Sequence, residues 1–382
     1  STIASEQGPA LGRAIHAGRL KRGEAVAASV DSWQIVTLIV LVGLAMTASL
    51  SWTLYAASQE TLKTRFQNAA AERTGIIIER FKSNLRDLDA IRRFFNGSLL
   101  VSRNEFRQFV TPILDYDGFQ ALEWLPRVTR EQRASYEADA RHDGLSEFQF
   151  TERNVQGAMV TAADRSEYFP VYYMEPYAGN EAALGFAPDP SHPGRGAVLA
   201  QARDSGQITL SGRYQLVQEQ NQRFSILAFA PVYQDPTIEV EVEERRRQLK
   251  GFVLGVMRIS DVVEAALAQT EPQGLLLRLL DLSAEGEQQA LYVLLPRTGA
   301  PQPAAGSLLW HRQDFSLGDR LWRIEVQPNS LFIEDNTDHL HYWIPAAGVL
   351  LTLLTALYSF TLTSQRQRAE ALVAARTVEL RA

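Results

Sequence analysis

The chain has 382 residues, 38 Lys+Arg against 44 Asp+Glu, a net charge of −6 and no cysteine. This balance lacks the basic excess of a nucleic-acid binder, and the missing thiols remove disulfide frameworks, thiolate zinc sites, cysteine nucleophiles and iron–sulfur clusters. The length suits two or three domains, and the overall 46% hydrophobic content averages over a very uneven distribution.

Residues 1–31 read as a polar tail. The next 28 residues, 32–59, carry no charge, with Trp33 at one end and Trp52 and Tyr55 near the other. About 20 apolar residues span a bilayer as a helix, and aromatic residues favour its two interfaces. The block is too long for a signal-peptide core and lacks an A-x-A cleavage site, so it reads as an uncleaved anchor. A second uncharged block, 339–365, has Tyr342, Trp343, Tyr358 and Phe360 at its rims. Eight flanking Lys/Arg lie outside the pair of spans (Arg13, Arg19, Lys21, Arg22, Arg366, Arg368, Arg376, Arg381). Five lie between them (Lys63, Arg65, Arg73, Arg320, Arg323). The bias places both termini in the cytoplasm and the middle segment outside. Two spans do not line a transport path.

From Thr61 to Phe95 apolar residues recur every three or four positions: Leu62, Phe66, Ala69, Ile77, Phe81, Leu85, Leu88, Ile91 and Phe95. This predicts a long amphipathic stalk helix over 60–97, continuing from the first span and stopped at Asn96-Gly97-Ser98. Its narrow stripe suits a partner copy as a dimer stalk, or the chain's own domain. Ser102 and Glu105 form a capping-box pair for a following helix. Strands are expected at Ala121–Leu125, Phe148–Phe150, Ile208–Leu210, Tyr214–Val217 and Phe224–Val232, with helices at Arg130–Arg141 and Ala197–Arg203. The charged run Thr237–Arg247 reads as a solvated loop or hairpin and a boundary. A second sheet then takes Gly251–Ile259, Leu275–Asp281, Leu291–Leu295 and Trp322–Val326. The expected fold is α+β: a tail (1–31), a span (32–59), the stalk, two sheet subdomains (98–235 and 236–338), a second span (339–365) and a helical stub (366–382). The stub has near-heptad apolar spacing and reads as the start of a coiled coil leading to an output domain outside this chain. Small residues at every fourth position in each span (Gly43, Thr47, Ser51; Thr355, Ser359, Thr363) suit close helix approach.

The sequence contains no P-loop, no G-x-S-x-G and no H-E-x-x-H, and no nucleophile–base pairing for an external hydrolase. Among six histidines only His339 and His341 are neighbours, and they read as interfacial residues rather than metal ligands. The site candidate is an aromatic cluster, Tyr168, Phe169, Tyr172, Tyr173 and Tyr177, with Arg165, Glu167, Arg195 and Arg213 in the same stretch. Aromatic pockets with a few placed polar groups hold ligands, and arginine suits carboxylates. The same tyrosines would equally serve as core.

Several runs in order resemble the CHASE domain, the extracellular sensory module of bacterial histidine kinases, nucleotide cyclases and plant cytokinin receptors. They are QALEWLPRV (120–128), RSEYFPVYYMEP (165–176), ALGF (183–186), ARDSG (202–206), LVQE (216–219), FAPVY (229–233) and GFVLGVMRISDVVEAAL (251–267). The resemblance implies a stalk helix and two tandem PAS-like subdomains, with ligand in the membrane-distal one. It also implies a dimer joined through stalk, spans and coiled coil in a bacterial inner membrane, with the sensory domain periplasmic. The implied output is a histidine kinase or a cyclic-di-GMP enzyme, with no enzyme and no cofactor in this chain. The adenine-binding Asp of the cytokinin receptors falls near Arg195, and the downstream Thr and Leu near Ser211 and Val217. Arginine at that place reverses the charge and points to a small anionic ligand. The candidate ligand-binding set is Arg165, Tyr168, Tyr172, Tyr173, Arg195, Ser211, Arg213, Tyr214, Val217 and Phe229. The alternative is an external module that docks a partner protein and has a filled distal core.

Overall fold

The computed structural model describes residues 32–116, 118–154, 156–189, 195–214, 224–235, 241–271, 273–338 and 340–379. Two compact units emerge: Lys63–Asn336, and Ser1–Leu62 together with Thr337–Ala382. In chain order the elements begin with α1 (Ser32–Asn96), which contributes to both units, and α2 (Arg103–Leu114). Next come β1 (Ala121–Pro126), β2 (Val128–Thr129), α3 (Arg133–His142), β3 (Thr151–Arg153), β4 (Met159–Thr161), β5 (Glu167–Tyr168) and β6 (Tyr173–Glu175). Then follow α4 (Arg195–Ser205), β7 (Thr209–Leu210), β8 (Ser225–Tyr233), α5 (Val242–Gln248), β9 (Leu249–Arg258) and α6 (Ile259–Ala266). The chain continues through β10 (Leu275–Asp281), β11 (Ala290–Leu294), β12 (His311–Leu317), β13 (Arg320–Pro328), α7 (Ser330–Asn336) and α8 (Leu340–Glu379).

In the larger unit α1 buries a continuous stripe: Phe66, Ala70, Thr74, Ile77, Phe81, Asn84, Leu88, Ile91 and Phe95. Steps of three and four keep these side chains on one helix face. The stripe is filled by the chain's own sheets, with Phe81 edge-on to Trp322 and Phe95 stacked on Trp124 at 4.1 Å between ring centroids. Burial of this stripe is therefore intrachain, and a partner copy is not what covers it. Its two polar members are satisfied: Asn84 Nδ2 donates to the Gly118 carbonyl at 2.9 Å, and the Thr74 hydroxyl donates to Gln313 Oε1 at 2.8 Å. The helix ends at Asn96, and α2 opens with a complete capping box between Ser102 and Glu105. Pro112 sits inside α2, which continues to Leu114.

Among the described residues the strands form two principal antiparallel sheets, ordered β6-β1-β9-β8-β7 and β11-β10-β13-β12. β9 corrects the sequence reading, which put residues 251–259 in the second sheet. It pairs with β1 from Ala121↔Val256 to Pro126↔Gly251 and with β8 along its whole length, at the centre of the first sheet. Its run LKGFVLGVMR is buried almost throughout, the composition of a strand covered on both faces. The charged segment before it is α5 rather than a loop; residues 236–240 lie outside the described part. Arg246 grips Asp204 of the ARDSG run with both Nε (2.9 Å) and Nη2 (2.6 Å), tying α5 to α4. Two further expectations need correction. Phe148 and Phe150 are buried but precede β3 rather than forming a strand, and β12, with its weak apolar alternation, is an additional strand of the second sheet.

Gly185, in the ALGF run, has φ +79, and a Cβ there would lie 2.3 Å from the Gln149 carbonyl oxygen. The loop stitches through this point: Gly185 N–H donates to Val171 at 2.8 Å, and its carbonyl accepts from Thr151 at 2.9 Å. Only glycine tolerates both the backbone conformation and the approach.

In the other unit, α1 and α8 each contain a segment long and apolar enough to cross a membrane, with mean hydropathy 2.1 and 1.7. The two pack through reciprocal glycine–threonine contacts. A Cβ on Gly43 would sit 2.6 Å from Thr352, and one on Gly348 would sit 2.6 Å from Thr47. Each threonine hydroxyl bonds its own helix, Thr47 to the Gly43 carbonyl and Thr352 to the Gly348 carbonyl, both at 2.8 Å. The α8 contact therefore uses Gly348 and Thr352 with Ala356 buried beside them, whereas Thr355 is exposed, which shifts the stripe expected from sequence.

The chain is free of cysteine, so a Thr47→Cys/Gly348→Cys double variant should oxidise to an intrachain disulfide, read as a gel-mobility shift. Adding Gly43→Leu should abolish it. Phe81→Ala should destabilise the larger unit by about 3–5 kcal/mol, read as a fall in thermal midpoint.

Candidate functional site

β1 reads ALEWLP and all six residues are buried. Alternation sends successive side chains to opposite faces. Trp124 faces α1, where it stacks on Phe95, while Ala121 and Leu125 join the apolar layer that covers the other face with Leu199 and Ala202 of α4. Glu123 falls on this second face. It is a carboxylate in an apolar layer, 4% exposed.

Arg195 opens α4 and reaches into the same layer. Its guanidinium lies 5.4 Å from the Phe186 ring centroid and 5.5 Å from that of Phe229, a sandwich that favours a cation between two aromatic faces. Its Nε and Nη2 are buried with no hydrogen-bond partner among the described residues. Glu123 and Arg195 line one cavity of about 70 Å³, together with Gln120, Asn180, Tyr214 and apolar side chains from Met159 to Val256. They influence each other electrostatically but form no direct ion pair within the described residues. Burial pushes the Glu123 carboxyl up to about 7, with the Arg195 charge pulling the other way. Burial also lowers Arg195 below the ordinary guanidinium range, and the Glu123 charge opposes that. At the rim, Gln120 Nε2 donates to Asn180 Oδ1 at 3.4 Å, and Asn180 Nδ2 donates to the Pro176 carbonyl at 3.0 Å. The cavity holds about five water-sized groups, so it suits a small polar molecule.

The structure brings together three of the candidates named from sequence: Arg195 and Tyr214 line the cavity, and Phe229 is the platform beneath Arg195. Arg165, Ser211 and Arg213 line a wider neighbouring cleft of about 1130 Å³, which Arg195 and Tyr214 also border. Their polar groups there are engaged by protein. Arg165 pairs with Glu152 and donates to the Ala187 carbonyl at 3.1 Å. Ser211 Oγ donates to the Gly212 carbonyl at 2.7 Å and accepts from Leu227 N–H at 3.0 Å. Arg213 donates to the Ala290 carbonyl at 3.2 Å. Tyr168 is 1% exposed, and its hydroxyl closes its own loop, accepting from Arg165 N–H at 2.8 Å and donating to the Ala163 carbonyl at 3.1 Å.

Tyr172 and Tyr173 do not line the cavity. Their hydroxyls donate to the Tyr136 and Val101 carbonyls, and the Arg103 guanidinium lies over both rings. Burial pushes both phenols up, Tyr173 to about 12. Val217 and His192 lie outside the described residues, as do the LVQE run and His339. The sequence reading missed Glu123, Gln120 and Asn180. The available signal was a lone carboxylate within the six-residue apolar strand QALEWLP carries.

The larger unit is thus an α+β fold built on a long helix, with a small charged cavity in the layer between a sheet and a helix. Residues 100–292 match the family model of the CHASE domain, and the chain belongs to that family of sensory domains. It is 24% identical over 351 residues to hybrid signal transduction histidine kinase A of Dictyostelium discoideum, covering 86% of this chain and 16% of that protein's length. Among solved structures it is similar to the ligand-binding domain of the Pseudomonas aeruginosa amino acid chemoreceptor PctC in complex with GABA. That likeness has a TM-score of 0.39 and 11% identity, over 70% of this chain and 99% of the other. The PctB ligand-binding domain from the same organism, in complex with L-Arg, gives a TM-score of 0.37 and 12% identity over 71% and 96%.

The Glu123 carboxyl protonates at about 7 in the folded chain, against 4.5 as the ordinary value. Between those values the folded state holds a proton that the unfolded state releases, so this group favours folding at the acid end of the window. The advantage, at most about 3 kcal/mol, is lost as pH rises through 7. The fall in thermal midpoint between about pH 5 and pH 8 should therefore be steeper in the wild type than in Glu123→Gln.

Proposed function

We propose that this chain is the ligand-sensing input region of a dimeric transmembrane receptor. Lys63–Asn336 would form the periplasmic sensor, built of two PAS-like subdomains, between two spans with both termini in the cytoplasm. An output domain beyond the coiled-coil stub, a histidine kinase or a cyclic-di-GMP enzyme, completes the receptor. The kinase relative supports a signalling output, and the apolar surfaces of α1 and α8 support the spans. The two antiparallel sheets, with helices against them, support the subdomain reading.

One observation supports the sensory reading: a cavity lined by Arg195, whose Nε and Nη2 are buried without a hydrogen-bond partner among the described residues. An unpaired buried donor costs about 1–3 kcal/mol, more when charged, and a site accepts that cost where a ligand supplies the missing acceptor. The route outward is short. Glu123 borders the cavity, and the next residue, Trp124, stacks on Phe95 of α1. A ligand that shifts β1 by contact with Glu123 therefore changes the packing of the helix that also carries the first span. It biases the receptor by its difference in affinity for the two packings. Candidate contacts are Arg195, Tyr214 and Glu123, with Phe229 as a positioning residue; Arg165, Ser211 and Arg213 line the neighbouring cleft.

The test uses the full chain in lipid nanodiscs, scanned for thermal shifts against small carboxylates, amines and amino acids. At least one carboxylate-bearing compound should raise the midpoint. Arg195→Ala should weaken it about 100-fold, the loss expected for two charge-assisted hydrogen bonds. A wild-type chain that responds to none of them refutes the reading.

A further inference from the structure

We propose that the cavity is built for a small zwitterion, whose carboxylate meets Arg195 and whose protonated amine meets Glu123. The inference rests on the sensory reading above and names the ligand class within it.

The two charges are of opposite sign, come from different elements, and line one cavity. Glu123 comes from the middle of β1 and is 4% exposed; Arg195 comes from the first residue of α4. Opposite charges taken out of water are normally brought into contact, because an uncompensated buried ion is costly. Here both line one cavity with no direct ion pair between them among the described residues, and Arg195 Nε and Nη2 are buried without a hydrogen-bond partner there. The other polar neighbours do not supply one. Gln120 and Asn180 are neutral and bonded to each other, Tyr214 is a phenol, and Leu227, Leu254 and Val256 of β8 and β9 are apolar.

A simple anion would satisfy Arg195 and be repelled by an ionised Glu123. A simple cation would do the reverse. A molecule with both charges compensates both groups at once. The cavity, about 70 Å³, also limits size. Room for about five water-sized groups corresponds to a short amino-carboxylate rather than a nucleobase or a peptide. Its walls leave apolar contact for a short aliphatic portion between or beside the charges.

The full chain in nanodiscs is titrated calorimetrically with glycine, β-alanine, L-alanine and L-serine. The single-charge counterparts are acetate, propionate, lactate and ethylamine. Amino acids should bind at least tenfold tighter than either counterpart class. Glu123→Gln should erase that preference while leaving carboxylate binding equal or improved, and Arg195→Ala should remove binding of the amino acids and of the carboxylates. An ammonium beside Glu123 drives its proton off, so near neutral pH the wild type should release protons on binding, seen as a heat that depends on the buffer. Glu123→Gln should not, which separates recognition from a merely structural role. If carboxylates bind as tightly as amino acids and Glu123→Gln changes nothing, the zwitterion inference falls while small-molecule sensing stands. If no probe of any class binds the wild type, both fall.

Discussion

Everything in the larger unit leans on one face of one helix. Phe66, Ile77, Phe81, Leu88, Ile91 and Phe95 give α1 an apolar wall, and Trp322 of the second sheet and Trp124 of the first both close on it. Dispersion and the exclusion of water make such a wall adhesive but not specific in register. Register comes from its polar members. Asn84 has to reach the Gly118 carbonyl and Thr74 has to reach Gln313, and a slip of one turn would strand both in an apolar layer. With the first sheet pinned on that side, its opposite face is the one left to enclose a ligand.

The cavity is the place where this order is deliberately broken. In a layer of Leu, Val and Phe, the chain buries a carboxylate and a guanidinium with no direct ion pair between them among the described residues. Replacing buried charges by apolar residues of similar size is often neutral or stabilising. Proteins retain such arrangements where binding needs them, and they trade stability for function there. The aromatic sandwich of Phe186 and Phe229 around Arg195 limits the loss by offering two ring faces to the cation while leaving its N–H edge free.

Much of this was legible in sequence where periodicity is strong. The α1 stripe, its stop at Asn96, the capping box at Ser102–Glu105, and the apolar strands at 121 and 225 follow from spacing alone. The site was legible in outline: Arg195, Tyr214 and Phe229 converge, though they come from separate parts of the chain. Tyr172 and Tyr173 show the limit, because aromatic density reads the same for core and pocket until the face of each side chain is known. Glu123 shows another. A glutamate within a strand ordinarily marks a solvent face, and only a helix covering the far side turns it inward. β9 shows a third: the order of strands in a sequence does not fix their order in a sheet.

That last point bears on how the molecule is made and how it divides. The central strand of the first sheet, Leu249–Arg258, arrives more than a hundred residues after its partner β1, with the cavity's other walls in between. During synthesis the first sheet stays open until this strand emerges, and such long-range closure is slow and leaves sheet edges exposed meanwhile. The first sheet is therefore no detachable cassette that ends where the charged segment begins. A graft of this sensor onto another receptor has to carry the chain through β9 as one piece. Natural recombination that respected the fold would have moved it in that form.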